Sequence, residues 1–185
     1  MHYEVEQKFP VADVSALESQ LASLGGVASS PRWEADQYYN HPARDFATTD
    51  EALRIRRIGD SAFLTYKGPK IDATTKTRRE LELPVDAANL AGWTDLLQTL
   101  GFRPVAEVRK QRRKAFVAWQ QRRVEVSLDD VEELGQFVEL ELIAAEADVD
   151  AARNCLAALA EKLNLSASER RSYLELLLQR RSGRA

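Results

Sequence analysis

Charged residues recur two apart along this sequence: Glu4 and Glu6 followed by Lys8, Arg54 and Arg56, Arg78 with Glu80 and Glu82, Lys110 and Arg112, and Glu139 with Glu141, while Glu125 and Asp129 flank Ser127 at the same parity. Lys67 joins the series beside Thr65. Residues two apart share one face of a β-strand, so each set predicts a strand with a charged side. The intervening residues are mostly apolar: Leu53 and Ile55, Leu64 and Tyr66, Leu81 and Leu83, Val124, Val126 and Leu128, and Val138, Leu140 and Leu142. Only around 109–113 does the contrast fail, because Arg109 and Arg113 charge the second face as well. Paired carboxylates are hard oxygen donors suited to Mg²⁺ or Mn²⁺. Paired arginines present planar, permanently charged forks that match phosphate oxygens.

Periodicity predicts the elements that position these groups. Strands are expected over 2–9, 36–39, 52–58, 61–67, 77–83, 104–119, 122–130 and 136–143, with Pro84 ending the fifth. Helices are expected over 13–24, 86–100, 149–163 and 168–180, and the segments 41–50 and 70–76 are expected to be loops. The order is strand, helix, a run of strands, helix, more strands and then helices, without regular βαβ alternation. It favours an antiparallel α+β domain. At 185 residues, 44 % hydrophobic and 30 % charged, the chain fits one domain with one core.

Two arrangements satisfy this pattern. In one, helices cover the apolar face of an open sheet and the charged face meets water. In the other, the sheet closes and the charged faces line a lumen, where each charge must be matched by another charge, water, metal or ligand. The distribution of charge bears on the choice. Residues 54–123 hold 16 Lys and Arg against 7 Asp and Glu, whereas the flanks are both acidic and the whole chain carries −3. Nineteen of the 26 cations are arginines. Cations therefore concentrate in the middle strands and carboxylates in the first and last, which a closed sheet would bring together. Cys155 is the single cysteine, and His2 and His41 are the only histidines, which argues against disulfides and against thiolate or imidazole metal sites. No uncharged apolar run approaches a spanning helix, and residues 1–9 lack a secretory apolar core; a cytoplasmic protein with no membrane partner is expected. Neither a P-loop nor a G-x-G-x-x-G turn is present. Trp33, Trp93 and Trp119 read as packing residues, with adenine stacking by one of them as the alternative.

The series of motifs resembles a known family. Glu4-Val5-Glu6-Gln7-Lys8 is similar to the E-x-E-x-K signature of CYTH proteins, the triphosphate tunnel metalloenzymes. ALRIRR (52–57), LTYKGP (64–69), TRRELEL (77–83), RKQRR (109–113) and SLDDVEELGQFVELEL (127–142) follow in the family's order and spacing. RRSYLELL (170–177) resembles the ending of the class IV adenylate cyclase branch. The resemblance implies an antiparallel eight-stranded barrel, open at its ends, with helices packed outside. It implies that Glu4, Glu6, Asp129, Glu139 and Glu141 hold Mg²⁺ or Mn²⁺, and that Arg54, Arg56, Lys67, Arg78, Lys110 and Arg112 grip a triphosphate. Lys8 is expected to approach the reacting phosphate. Glu80, Glu82 and Glu125 are expected either to hold a second metal or water or to orient neighbouring arginines.

Three functions remain open at this point. A class IV adenylate cyclase would convert ATP to cyclic AMP and pyrophosphate, an inorganic or thiamine triphosphatase would release orthophosphate, and a non-catalytic module would only bind nucleotide or polyphosphate. The acidic pairs favour an enzyme over the module, since anion binding alone requires no carboxylates. For the same reason nucleic acid is not expected as a partner of the basic stretch 109–123. A homodimer is compatible with the sequence.

Overall fold

The computed structural model describes residues 2–70 and 77–183. Eight strands form one sheet: β1 (His2–Pro10), β2 (Arg32–Asn40), β3 (Ala52–Ile58), β4 (Ser61–Lys67), β5 (Glu80–Val85), β6 (Arg103–Trp119), β7 (Arg122–Val131) and β8 (Gly135–Ala145). Their spatial order is β1-β8-β7-β6-β2-β3-β4-β5, and every paired neighbour is antiparallel. The sheet curls until its two edges meet at one bridge between Glu4 of β1 and Arg78, just before β5. The helices are α1 (Val14–Ser23), the short α2 (Phe46–Thr49), α3 (Leu90–Thr99), α4 (Val149–Lys162) and α5 (Tyr173–Arg181).

The apolar outer face of the sheet forms two cores. Val5, Val117, Val124, Val126, Leu140 and Leu142 pack beneath α1 and α4, whose Leu17, Leu21, Leu156 and Leu159 are buried against them. On the other side, Tyr39, Leu53 and Ile55 pack against Leu97 of α3. Asp13 caps α1 by accepting from the Ala16 amide at 2.9 Å, and Gly25, at φ +80°, lets the chain turn away. A Cβ on Gly26 would lie 2.9 Å from Val117, so this close approach of α1's end to β6 requires glycine. α5 behaves differently. Its Tyr173 and Leu177 pack against Tyr38, Val108, Val131 and Phe137, which share strand parity with the inward-facing charges, so α5 plugs one end of the lumen.

Several boundaries differ from those the periodicity predicts. β2 begins at Arg32 rather than 36, bringing Glu34 into the sheet. β5 begins at Glu80 and continues through Pro84, which is tolerated because this edge strand has a ladder on one side only. The loop 41–50 contains α2, capped by Asp45. α5 begins at Tyr173 rather than 168, set by a capping box between Ser172 and Glu175. Of the predicted loop 70–76, residues 71–76 lie outside the described residues. Trp33 is 52 % exposed beside Arg109 rather than packed inside, whereas Trp93 and Trp119 are partly buried against the cores. Cys155 is buried and unpaired in a disulfide sense. Among the described residues, no helix is long and apolar enough to cross a membrane.

Candidate active site

The inner faces of the strands enclose a cavity of about 330 Å³. Glu4, Glu6, Arg54, Arg56, Thr65, Lys67, Arg78, Glu80, Glu82, Lys110, Arg112, Glu139 and Glu141 all reach its wall. Antiparallel register makes the arrangement legible. Glu6, Glu141 and Glu125 are successive cross-strand neighbours on β1, β8 and β7, forming an acidic row. The next row inward runs through Lys8, Glu139, Ser127 and Lys114, and the one beyond it through Phe137, Asp129 and Arg112. The acidic row therefore lies toward the unplugged end.

The cationic wall rests on two carboxylates that the sequence reading does not single out. Asp36 accepts a two-pronged pair from Arg56 at 2.7 and 2.8 Å, and also touches Lys110 at 3.1 Å and Arg54 at 3.3 Å. Glu34 lies 3.2 Å from Lys110 and 3.6 Å from Arg56. Both are completely enclosed. Burial opposes their ionisation, but the surrounding cations prevail: Arg54, Lys110 and Arg56 hold Asp36 well below the usual carboxylate range, and Arg112, Lys110 and Arg56 hold Glu34 at about 2. Lys110 is itself lowered, first by burial and then by Arg56. The available signal was parity: Glu34, Asp36 and Tyr38 form another i, i+2 series on β2, paired in register with Lys110 and Arg56.

The acidic side is organised otherwise. Burial and then the charges of Glu4, Glu6 and Glu125 push Glu141 up to about 8. Burial also raises Glu4, whose partner Lys67 opposes the shift at 3.2 Å. Lys67 sits 2.6 Å from Glu80, which is held at about 2 against its burial by Glu4 and Lys67. Thr65 donates to Glu82 at 3.1 Å, and Glu125 pairs closely with Lys114. Arg78 reaches to 3.8 Å from Asp50. These three glutamates thus contact a cation or hydroxyl on the wall. Asp129 is spent on a two-pronged pair with Arg112, and accepts the Tyr173 hydroxyl at 2.8 Å; Arg112 also contacts Glu139. Lys8 does not reach the cavity wall: it is 1 % exposed, donates to the Arg171 carbonyl at 2.5 Å, and lies 4.0 Å from the centre of the Tyr173 ring. Tyr38, Ala52, Lys114, Ser172 and Tyr173 complete the cavity, and none of the three tryptophans lines it.

A divalent cation fits the chemistry of this donor set. Burial and the neighbouring carboxylates Glu4, Glu6 and Glu125 raise Glu141's proton affinity, the condition a metal relieves. Among the described residues no three of them already stand as a ligand group. The cavity therefore combines crowded carboxylates with the cations Arg54, Arg56, Lys110 and Arg112, which the buried acids Asp36, Glu34 and Asp129 already balance.

A charged lumen inside a curled eight-stranded antiparallel sheet defines a triphosphate tunnel fold, and the chain belongs to the CYTH domain family, whose profile matches residues 2–173. Two of its relatives carry cyclase names. It is 38 % identical over 176 residues to the Methanocaldococcus jannaschii protein called "Putative adenylate cyclase MJ0240", covering 94 % of this chain and 97 % of that one. It is 33 % identical over 183 residues to adenylate cyclase CyaB of Aeromonas hydrophila, covering 96 % and 90 %. The solved structure of PH1819 from Pyrococcus horikoshii superposes with a TM-score of 0.85 at 40 % identity, covering 96 % of this chain and 99 % of that chain.

Proposed function

We propose that this protein is a divalent-metal-dependent class IV adenylate cyclase, converting ATP to cyclic AMP and pyrophosphate. The observation that carries the reading is the meeting, in one cavity, of the carboxylates Glu4, Glu6, Glu139 and Glu141 with the wall of Arg54, Arg56, Lys110 and Arg112. An anion-binding module has no use for the first. In this proposal Arg54, Arg56, Lys67, Arg78, Lys110 and Arg112 bind and orient the triphosphate. Asp36 and Glu34 hold those cations in place so that they are preorganised when the substrate arrives. Glu4, Glu6, Glu139 and Glu141 hold Mg²⁺ or Mn²⁺, with Asp129 behind them and linked to Glu139 through Arg112. A bound divalent ion supplies neutralisation of phosphoryl oxygens during in-line displacement. Glu80, Glu82 and Glu125 orient the cations and hydroxyl they touch. Lys8, which the resemblance placed at the reacting phosphate, acts here through Tyr173 and the α5 plug. The cyclase step directs the ribose 3′-hydroxyl at the α-phosphorus and expels pyrophosphate.

The second reading is a triphosphatase, favoured by the absence of tryptophan or an aliphatic recess in the 330 Å³ cavity. Incubation with ATP and with tripolyphosphate, each with Mg²⁺ or Mn²⁺, separates them. Cyclic AMP and pyrophosphate are expected from ATP; orthophosphate with ADP would move the protein to the hydrolases. Arg56→Ala is expected to raise the KM for ATP roughly 10- to 100-fold with a smaller change in kcat, the weight of one charged two-pronged contact. Initial-rate kinetics check this, and an unchanged KM would remove Arg56 from the triphosphate grip.

A further inference from the structure

The inner face does not stop at the acidic row. Two residues further toward the open end, β7 presents Arg123 and β8 presents Ile143, and on β6 Phe116 is the direct register neighbour of Glu125. Arg123's guanidinium carbon lies 3.8 Å from the centre of the Phe116 ring, a stacked cation–π pair. Phe116 and Ile143 are 41 % and 61 % exposed, although both share parity with the charged lumen rather than with the apolar outer core. Together they line a second groove of about 400 Å³, and Glu141 lies in the wall of both this groove and the tunnel. Along β6, β7 and β8 the lumen is thus graded from the plugged apolar end through cations and carboxylates to an aromatic and apolar shelf at the mouth, where Ile143 is the register neighbour of Glu4.

We propose that this shelf is the nucleobase subsite, with the planar base of a nucleoside triphosphate stacked on the Phe116–Arg123 pair and flanked by Ile143. The inference rests on the tunnel binding a triphosphate and deepens that reading by assigning the organic end of the substrate. With the phosphate chain reaching inward to Arg54, Arg56, Lys110 and Arg112, the acidic row falls beside the phosphate nearest the nucleoside. The nucleoside itself then emerges over the shelf. Stacked guanidinium and phenyl groups offer a flat, polarisable face that a purine covers well. The same geometry leaves the charge-lined cavity to the phosphates, with the base held outside it.

Calorimetric titration with α,β-methylene-ATP and, separately, with tripolyphosphate, both with Mg²⁺, tests this on the full chain. Phe116→Ala and Arg123→Ala are each expected to weaken the nucleotide analogue about tenfold and leave tripolyphosphate within twofold of the unaltered protein. Ile143→Asp, on an exposed side chain whose loss leaves the core intact, is expected to act in the same direction. Equal weakening of both ligands, or no change for either, would overturn the subsite. Failure of the unaltered protein to bind tripolyphosphate would overturn the tunnel reading instead, and the subsite with it. Self-association that disappears in Phe116→Ala, without a change in nucleotide affinity, would make the shelf a contact between copies and also overturn it.

Discussion

Glu141→Gln is expected to lower metal-dependent turnover by at least roughly a hundredfold while leaving the fold intact. The amide keeps the shape of the side chain but withdraws an anionic ligand from the centre of the acidic row, where Glu6 and Glu125 are its direct register neighbours. Glu4→Gln should behave alike, since Glu4 faces the same cavity. In chelator, the melting temperature of Glu141→Gln should not fall and is expected to rise, because the amide no longer bears the cost of burying an ionisable carboxyl beside Glu4, Glu6 and Glu125. Glu132→Gln, on the half-exposed turn after β7, serves as the control and should alter neither property. Turnover and thermal unfolding measured together check the pair. A variant that loses activity only by unfolding would contradict the assignment of Glu141.

The largest expected effect on stability belongs to Asp36→Asn. Asp36 is the shared counter-ion of Arg54, Arg56 and Lys110, and removing its charge leaves Arg56 and Lys110 with Glu34, and Arg54 with only the longer 3.9 Å ion pair to Glu80. Breaking a buried ion pair from one side costs about 3–5 kcal/mol, a large part of the stability of a domain of this size. Chemical denaturation should show a lower midpoint with little change in slope. The pH dependence follows from the same pair of acids. Asp36 and Glu34 titrate lower in the folded chain than in the unfolded one, so their stabilisation is complete above the unfolded carboxylate range near pH 4 and is lost as pH falls toward about 2. The unaltered protein should lose stability steeply across that acid window. Asp36→Asn, already lacking one of the two groups, should show a shallower loss there. Parallel profiles for the two proteins would contradict the counter-ion role.

These two sites differ in how far the sequence revealed them. The carboxylates of β1 and β8 were legible because strict alternation, Glu4-Val5-Glu6 and Val138-Glu139-Leu140-Glu141-Leu142, separates an apolar face from a charged one without any tertiary information. The same contrast fails on β2. There Trp33 and Gln37 lie opposite Glu34 and Asp36 on a face that is not uniformly apolar, so the strand looked shorter and its buried acids escaped notice. Pro84 looked like a stop because its missing N–H matters in a central strand, and the edge position that excuses it is a property of topology. Lys8 shares the parity of Glu4 and Glu6, and the resemblance placed it at the reacting phosphate. The contacts that hold its amino group come from Arg171 and Tyr173, more than 160 residues later in the chain. For α5, the apolar spacing announced a helix but carried no sign that Tyr173 and Leu177 would enter the end of the lumen, since helices covering either side of the sheet have the same pattern.

The central claim is that the acidic row and the cationic wall act as one metal-dependent triphosphate site. Electron paramagnetic resonance of Mn²⁺, which loses its free-ion signal on binding, measures this without requiring turnover. With α,β-methylene-ATP present, the protein is expected to take up Mn²⁺ stoichiometrically. Uptake should weaken at least tenfold in Glu141→Gln, and in Arg56→Ala should weaken only while the nucleotide is below saturation. Mn²⁺ uptake that is indifferent to both substitutions, or nucleotide binding that is unchanged by metal and chelator alike, would contradict the account.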